Sequence, residues 1–166
     1  MSEPHTQGAY DAQLRRWLVR GSTIESARYV WAIDVVASCN LRCPTCPVGN
    51  SDLVASDRMP LDTYRQILNK AHRLKPDSDV WLFNWTEPLL HPNIGQIIRE
   101  TKALGLGCFI STNLNSAARL EDVVRAEPDQ IKVSLSSLTQ DFYSKSHVRG
   151  RIDKVLENLT LLRSLI

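Results

Sequence analysis

Residues 38–47 of this chain read Ser-Cys-Asn-Leu-Arg-Cys-Pro-Thr-Cys-Pro, which places Cys39, Cys43 and Cys46 at a C-x3-C-x2-C spacing. Thiolates this close in sequence can converge on one metal centre without a long connecting loop. Structural zinc normally takes four protein ligands, and iron–sulfur clusters are usually held by four cysteines. A site of three cysteines therefore predicts a cluster in which one iron stays free for a ligand that is not protein.

The fourth cysteine leaves two other interpretations of this segment open. Cys108 could join the three clustered cysteines in a tetrahedral zinc site. Alternatively, the cysteines are buried residues that bind no metal. Cys108 itself lies within a predicted strand, which favours a core role for that thiol.

The composition describes an ordinary globular chain. At 166 residues, with 43% hydrophobic and 23% charged residues, it is predicted to be one soluble domain. The net charge of +2 does not indicate a nucleic acid or an acidic lipid as a partner. No apolar run is long enough to span a membrane, and the N-terminus lacks the features of a secretion signal. We therefore expect a cytoplasmic protein, in which clustered cysteines indicate metal rather than disulfides.

The hydrophobic pattern predicts strands that alternate with helices. Runs rich in β-branched and aromatic residues predict four strands, over residues 28–36, 80–83, 108–111 and 131–135. Apolar residues at helical spacing predict helices over residues 61–74, 94–104, 120–124, 139–145 and 152–162. Gly105 is the expected stop of the second of these helices, and Asn115 or Ser116 is the expected cap of the third. Alternation of this kind predicts an α/β fold with a parallel sheet and right-handed crossovers. Sites in such folds lie at the carboxyl ends of the strands, and the cysteine segment directly follows the first strand.

The N-terminal segment, residues 1–25, is predicted to be a lead-in followed by an amphipathic helix. One helical face carries four apolar residues: Tyr10, Leu14, Trp17 and Leu18. We expect this helix to pack on the outside of the domain formed by residues 26–166. Contact with a membrane surface or a partner is the alternative.

The cysteine spacing resembles the cluster motif of the radical S-adenosylmethionine (radical SAM) enzymes. The resemblance implies that Cys39, Cys43 and Cys46 hold a [4Fe–4S] cluster, whose fourth iron is chelated by S-adenosylmethionine. It also implies reductive cleavage of this cofactor to methionine and a 5′-deoxyadenosyl radical, which abstracts hydrogen from a substrate. An oxidoreductase or transferase of this type would receive its electron from a donor such as flavodoxin or ferredoxin.

The segment after the second strand, residues 84–92, is similar to the family's Gly-Gly-Glu motif and its Pro-Leu-Leu-His-Pro continuation. Trp85 and Thr86 stand where the glycines would be. The resemblance implies that this segment binds the cofactor's methionine amino group, with Glu87 and nearby carbonyls as acceptors. The alternative is that Glu87 only caps the helix that follows.

Two later segments resemble the family as well. Ser111 and Asn113 lie in a Ser-Thr-Asn segment at the third strand end, which implies contacts to the cofactor's sugar or the substrate. A local Asx or Ser/Thr turn is the alternative. Ser134 and Arg149 match residues that hold the cofactor's carboxylate, for which a guanidinium is well shaped. The alternative for Arg149 is a solvated cation in a loop. His91 and His147 are expected to be structural or surface residues.

The resemblance covers residues 31–162 and four of the family's six βα units. It implies a partial TIM-like barrel, a (β/α)4 portion of a (β/α)6 core that is truncated before strands 5 and 6. The sequence of residues 84–92 resembles that of members with a C-terminal auxiliary-cluster (SPASM-type) domain, many of which modify peptides or small metabolites. A non-catalytic iron–sulfur or zinc-binding remnant that acts with a partner chain is the alternative. In either case we expect association through the open edge of the fourth strand.

Overall fold

The computed structural model describes residues 28–51 and 57–166, and within them the chain forms a four-stranded parallel sheet. The strands lie in sequence order: β1 (Val30–Ala32), β2 (Asp79–Trp81), β3 (Gly107–Thr112) and β4 (Gln130–Val133). The predicted α/β fold with a parallel sheet is confirmed. The predicted N-terminal helix lies outside the described residues.

Five helices connect or follow the described strands. They are α1 (Leu61–Leu74), α2 (Ile94–Ala103), α3 (Leu120–Arg125), α4 (Gln140–Ser146) and α5 (Ile152–Leu165). A single turn of 3₁₀ helix, Pro88–Leu90, precedes α2. Gly105, at φ +73°, follows α2 as the predicted stop, because glycine adopts a left-handed backbone without steric cost.

The hydrophobic core lies between the sheet and the helices. Alternate residues of the strands point toward the helices, so that Val80 and Leu82 of the second strand segment and Cys108 and Ile110 of β3 are fully buried. Helices α1 and α2 cover this face with their apolar residues. Cys108 is therefore a core residue, as its position in the sequence predicted.

One strand boundary and one helix cap differ from the sequence prediction. The first strand was predicted over 28–36 but ends at Ala32, since its partner β2 ends at Trp81, and Val36 pairs instead with Arg58 in an isolated antiparallel bridge. The helix α3 begins at Leu120, where the apolar spacing predicted it, but its cap position is Arg119 and not the expected Asn115 or Ser116. Asn115 is engaged elsewhere, because its side chain donates to the Tyr143 hydroxyl and accepts from the Arg151 amide.

The six boundaries of the three later strands also differ from the prediction, each by one or two residues, which is the usual uncertainty of strand ends. The predicted fourth strand, for example, ends at Val133 rather than Leu135, and Leu135 is exposed. Within the described ranges, no helix is long and apolar enough to cross a membrane.

Candidate cofactor site

A cavity of about 250 Å³ opens at the carboxyl edge of the sheet. Its walls come from four consecutive strand ends: the cysteine segment after β1, residues 83–87 after β2, residues 111–113 of β3, and Ser134 after β4. All three clustered cysteines line it together with most of the predicted cofactor residues: Trp85, Thr86, Glu87, Ser111, Asn113 and Ser134. The parallel sheet thus brings these separate motifs into one cavity.

The cysteine segment is folded into tight turns that keep its thiols near each other. The Cys46 amide donates to the Cys43 carbonyl at 3.1 Å, and the Asn50 amide donates to the Cys46 carbonyl at 2.8 Å. Gly49 closes this turn from the other side: a Cβ added there would lie 2.6 Å from both the nitrogen and the oxygen of Cys43. Only glycine fits this approach, so Gly49 is a supporting residue that the sequence interpretation missed.

The electrostatics of the thiols suit a positively charged centre. Burial raises the pKa of Cys39, and the nearby Glu87 carboxylate and the two other cysteines raise it further. Burial also raises the pKa of Cys43, with a second contribution from Cys46. Because metal ligands must be thiolates, bound metal cations would supply the positive charge that these mutually repelling groups lack.

The four cysteines do not form a site for a single metal ion. In residues 28–51 and 57–166, no three His, Cys, Asp or Glu side chains are arranged to hold one ion. Cys108 lies in the core, where burial raises the pKa of its thiol to about 12. The zinc site that borrows Cys108 is therefore not formed. A cubane cluster has its irons at separate corners, so three thiolates around a cavity fit it without meeting at one point.

Glu87 is buried in the wall of the cavity and binds backbone groups of two loops. Its Oε1 accepts the Leu89 amide at 3.2 Å, and its Oε2 accepts the Asn113 amide at 2.8 Å. Burial raises the pKa of this carboxyl group, and these hydrogen bonds partly oppose the effect. Glu87 therefore caps the short helix Pro88–Leu90, and it lines the cavity as well.

Asn113 connects the end of β3 to the cysteine segment. Its Nδ2 donates to Asn40 Oδ1 at 2.8 Å and lies 3.6 Å from the sulfur of Cys39. Its Oδ1 accepts the Asn115 amide at 2.9 Å, which is the Asx turn given as the alternative. Ser111 and Ser134 lie side by side across β3 and β4, with their hydroxyl oxygens 3.5 Å apart.

Asp34 is a second residue that the sequence interpretation missed. Its carboxylate lies just after β1 and accepts hydrogen bonds from Asn84, Trp85 and Thr86, the residues that precede Glu87. The signal in the sequence was a carboxylate that follows five uncharged residues inside the predicted strand 28–36, whose other charged residue, Arg28, stands at its first position. A charge in such a place needs partners, and here they come from the cavity wall.

In the turn after α4, the residue that lines the cavity is His147 and not Arg149. Arg149 is exposed, has a left-handed backbone at φ +71°, and is not among the residues that line the cavity. His147, which was expected to be a structural or surface residue, does line it. Its ring stacks on Tyr143 at 4.5 Å, its Nδ1 lies 3.0 Å from the Ser136 hydroxyl, and burial lowers its pKa.

Residues 33–166 match the sequence profile of the radical SAM superfamily. The chain belongs to this superfamily. Its cofactors are accordingly a [4Fe–4S] cluster and S-adenosylmethionine, and the clustered thiols with an adjoining cavity fit that pair.

Two curated relatives match over part of their length. A GTP 3′,8-cyclase of Chlorobaculum tepidum is 26% identical over 147 residues, which cover 86% of this chain and 42% of that protein. A tungsten-containing aldehyde ferredoxin oxidoreductase cofactor-modifying protein of Pyrococcus furiosus is 28% identical over 109 residues, which cover 66% of this chain and 30% of that protein. The chain thus spans less than half the length of either relative.

Solved structures share the fold at low sequence identity. Streptococcus suis SuiB bound to S-adenosylmethionine superposes with a TM-score of 0.65 at 16% identity, over 99% of this chain and 39% of that one. BtrN in complex with AdoMet and 2-DOIA gives a TM-score of 0.56 at 20% identity, over 65% of this chain and 46% of that one. Both matches extend the fold assignment to proteins solved with the cofactor.

Proposed function

We propose that this chain binds a [4Fe–4S] cluster and S-adenosylmethionine in the cavity described above and acts in a radical SAM enzyme. The observation that carries the proposal is that Cys39, Cys43 and Cys46 share one cavity with the ends of all four described strands. When bound, the reduced cluster would supply an electron for cleavage of S-adenosylmethionine to methionine and a 5′-deoxyadenosyl radical, and the substrate would supply the hydrogen atom that this radical abstracts.

The three cysteines are the proposed cluster ligands. They leave one iron without a protein ligand, which suits a cofactor that brings its own amino and carboxylate groups. Asn113 supports this role, because its amide nitrogen lies 3.6 Å from the Cys39 sulfur and can donate to the thiolate. A hydrogen bond of this kind lowers the electron density on sulfur and orients the ligand.

The methionine end of the cofactor is proposed to lie against residues 84–87. Its ammonium group needs oxygen acceptors. Trp85, Thr86 and Glu87 all line the cavity, and their backbone carbonyls and the Glu87 carboxylate are the proposed acceptors. Since both Glu87 oxygens already accept backbone amides, the carbonyls carry the direct contact and Glu87 contributes negative charge.

The carboxylate and sugar of the cofactor are proposed to lie toward β3 and β4. Ser134 offers a hydroxyl donor, and Ser111 and Asn113 offer polar groups beside it. Arg149 remains the proposed cation for the carboxylate, although its side chain is exposed in this structure. His147 offers a ring nitrogen in the same part of the cavity wall.

The substrate is proposed to be a peptide or a small metabolite. One support is that SuiB, which shares the fold over 99% of this chain, has been solved bound to its precursor peptide SuiA. A second support is that the sequence of residues 84–92 resembles members of the family that modify peptides or small metabolites. An electron donor such as flavodoxin or ferredoxin and a cytoplasmic location complete the proposal.

The test is anaerobic reconstitution with iron and sulfide, followed by an assay for 5′-deoxyadenosine with dithionite as reductant. We expect 5′-deoxyadenosine to form with the wild-type protein and to be lost with Cys43→Ala. Formation of a cluster without any 5′-deoxyadenosine would refute the catalytic proposal and favour a metal-binding protein that acts with a partner chain.

A further inference from the structure

The Asp34 carboxylate is the common acceptor for three successive residues of the cavity wall, residues 84–86. The Asn84 amide donates to Oδ1 at 3.0 Å, and the Thr86 hydroxyl donates to the same oxygen at 2.7 Å. The Trp85 amide lies 3.3 Å from Oδ1 and 3.2 Å from Oδ2, so it is shared between the two. One half-buried side chain therefore fixes this whole loop.

These contacts determine which groups of the loop stay free for a ligand. The amides of Asn84 and Trp85 donate to Asp34 and are therefore engaged, so an acceptor that this loop offers to a ligand must be a carbonyl oxygen. The Trp85 carbonyl is on the cysteine side, because it lies 3.5 Å from the sulfur of Cys46. A carbonyl in this place suits an ammonium group, which has only donors and needs oxygen acceptors.

Thr86 has a side chain where the family motif has a glycine. A threonine at such a place could crowd a ligand that approaches the backbone. Here its hydroxyl is held by Asp34, which keeps the side chain on the β1 side of the loop. Asp34 thus both orders the loop and accommodates the larger residue.

We propose that Asp34, together with Thr86, is a positioning residue for S-adenosylmethionine, which holds the 84–86 loop with its carbonyls toward the methionine ammonium. The inference rests on the proposed function of the cavity. Asp34 touches neither the cluster ligands nor the cofactor in this account, and it acts only through the loop.

The first test is Asp34→Asn, which keeps the shape of the side chain but removes its charge and one acceptor oxygen. We expect the reconstituted protein to keep its iron while its Kd for S-adenosylmethionine rises about tenfold or more, the effect of losing hydrogen bonds to a charged group. Amide hydrogen exchange at Asn84 and Trp85 should accelerate even in the protein without cofactors, because their common acceptor is weakened.

A matched control and a second pair of variants separate positioning from stability. Asp129→Asn also weakens a carboxylate that accepts a backbone amide, that of Cys108 at 2.7 Å, but at the opposite end of the sheet. It should lower stability without changing the Kd for the cofactor. Thr86→Val should raise that Kd, whereas Thr86→Ser, which keeps the hydroxyl, should restore it. If Asp34→Asn does not fold, the Thr86 pair decides the question.

Anaerobic titration of the reconstituted protein with S-adenosylmethionine measures every variant. A Kd for Asp34→Asn within about twofold of wild type, with iron retained, would overturn the inference and leave the proposed function intact. Equal Kd values for Thr86→Val and Thr86→Ser would overturn it in the same way. Absence of binding by the wild-type protein would instead refute the proposed function.

Discussion

At the scale of single residues, the site depends on a few close contacts that surround the three thiols. Asn113 contacts the Cys39 sulfur, Gly49 packs on Cys43, and Asp34 orders the loop opposite. The cysteines could be predicted from their type and spacing, and most other cavity residues from the resemblance of their segments to the family's motifs. Gly49 and Asp34 could not, because their roles depend on contacts between segments that only the folded chain brings together.

Gly49 gives a direct test of this local packing. In Gly49→Ala the new Cβ would lie 2.6 Å from backbone atoms of Cys43, so the cysteine segment must shift. We expect reconstituted Gly49→Ala to bind much less iron than wild type and to lose roughly 1–3 kcal/mol of stability, the usual cost of overpacking. Iron and sulfide analysis together with chemical denaturation measure the two effects.

Gly105→Ala is the matched control for this variant. Gly105 has a left-handed backbone at φ +73°, and a Cβ there would meet nothing within 4 Å. Alanine should therefore cost roughly 1–2 kcal/mol of stability through backbone strain alone. It should leave the iron content unchanged. Equal iron loss in both variants would show that the thiols respond to general destabilisation and not to the Gly49 contact.

At the scale of elements, the helices on one side of the sheet are held by their apolar faces and by a polar link. Arg65 of α1 forms two close contacts with Glu100 of α2, at 2.7 Å from Nη2 and 3.0 Å from Nε. The existence and order of these helices followed from apolar spacing. The predicted cap of α3 was wrong, because Asn115 and Ser116 both lie before the cap position at Arg119, and the Asn115 side chain is bound to Tyr143.

The link between α1 and α2 predicts a pH dependence of stability. The hydrogen bonds from Arg65 lower the pKa of Glu100 below its usual value. A carboxylate of this kind stabilises the fold above its unfolded pKa, and the contribution disappears as the pH falls through the lower, folded pKa. Glu100→Gln should therefore slightly lower the denaturation midpoint at neutral pH and leave it unchanged in acid below that folded pKa.

Glu121→Gln is the control for this prediction. Glu121 pairs with Arg125 one helical turn away on the exposed surface of α3, so its removal breaks no contact between helices. We expect no measurable shift of its denaturation midpoint at either pH. A midpoint difference for Glu100→Gln that persists unchanged into acid would show that the ion pair is not its source.

At the scale of the whole molecule, four βα units bring four separate sequence motifs to one edge of a parallel sheet. The order of the motifs along the chain becomes their order around the cavity, because the strands lie side by side in sequence order. This correspondence is why the fold and the general position of the site were predictable. The arrangement of the turn at residues 147–150 was not predictable from the sequence. There Arg149 has a left-handed backbone and an exposed side chain, and His147 lines the cavity instead.

The proposed chemistry depends above all on a [4Fe–4S] cluster that Cys39, Cys43 and Cys46 hold with one iron open to S-adenosylmethionine. The direct measurement is the EPR spectrum of the reconstituted, reduced protein during titration with that cofactor. We predict about four irons per chain, a cluster signal that changes as S-adenosylmethionine is added, and retention of both in Cys108→Ala. Stoichiometric zinc in place of iron, or a cluster signal that excess cofactor leaves unchanged, would contradict the claim.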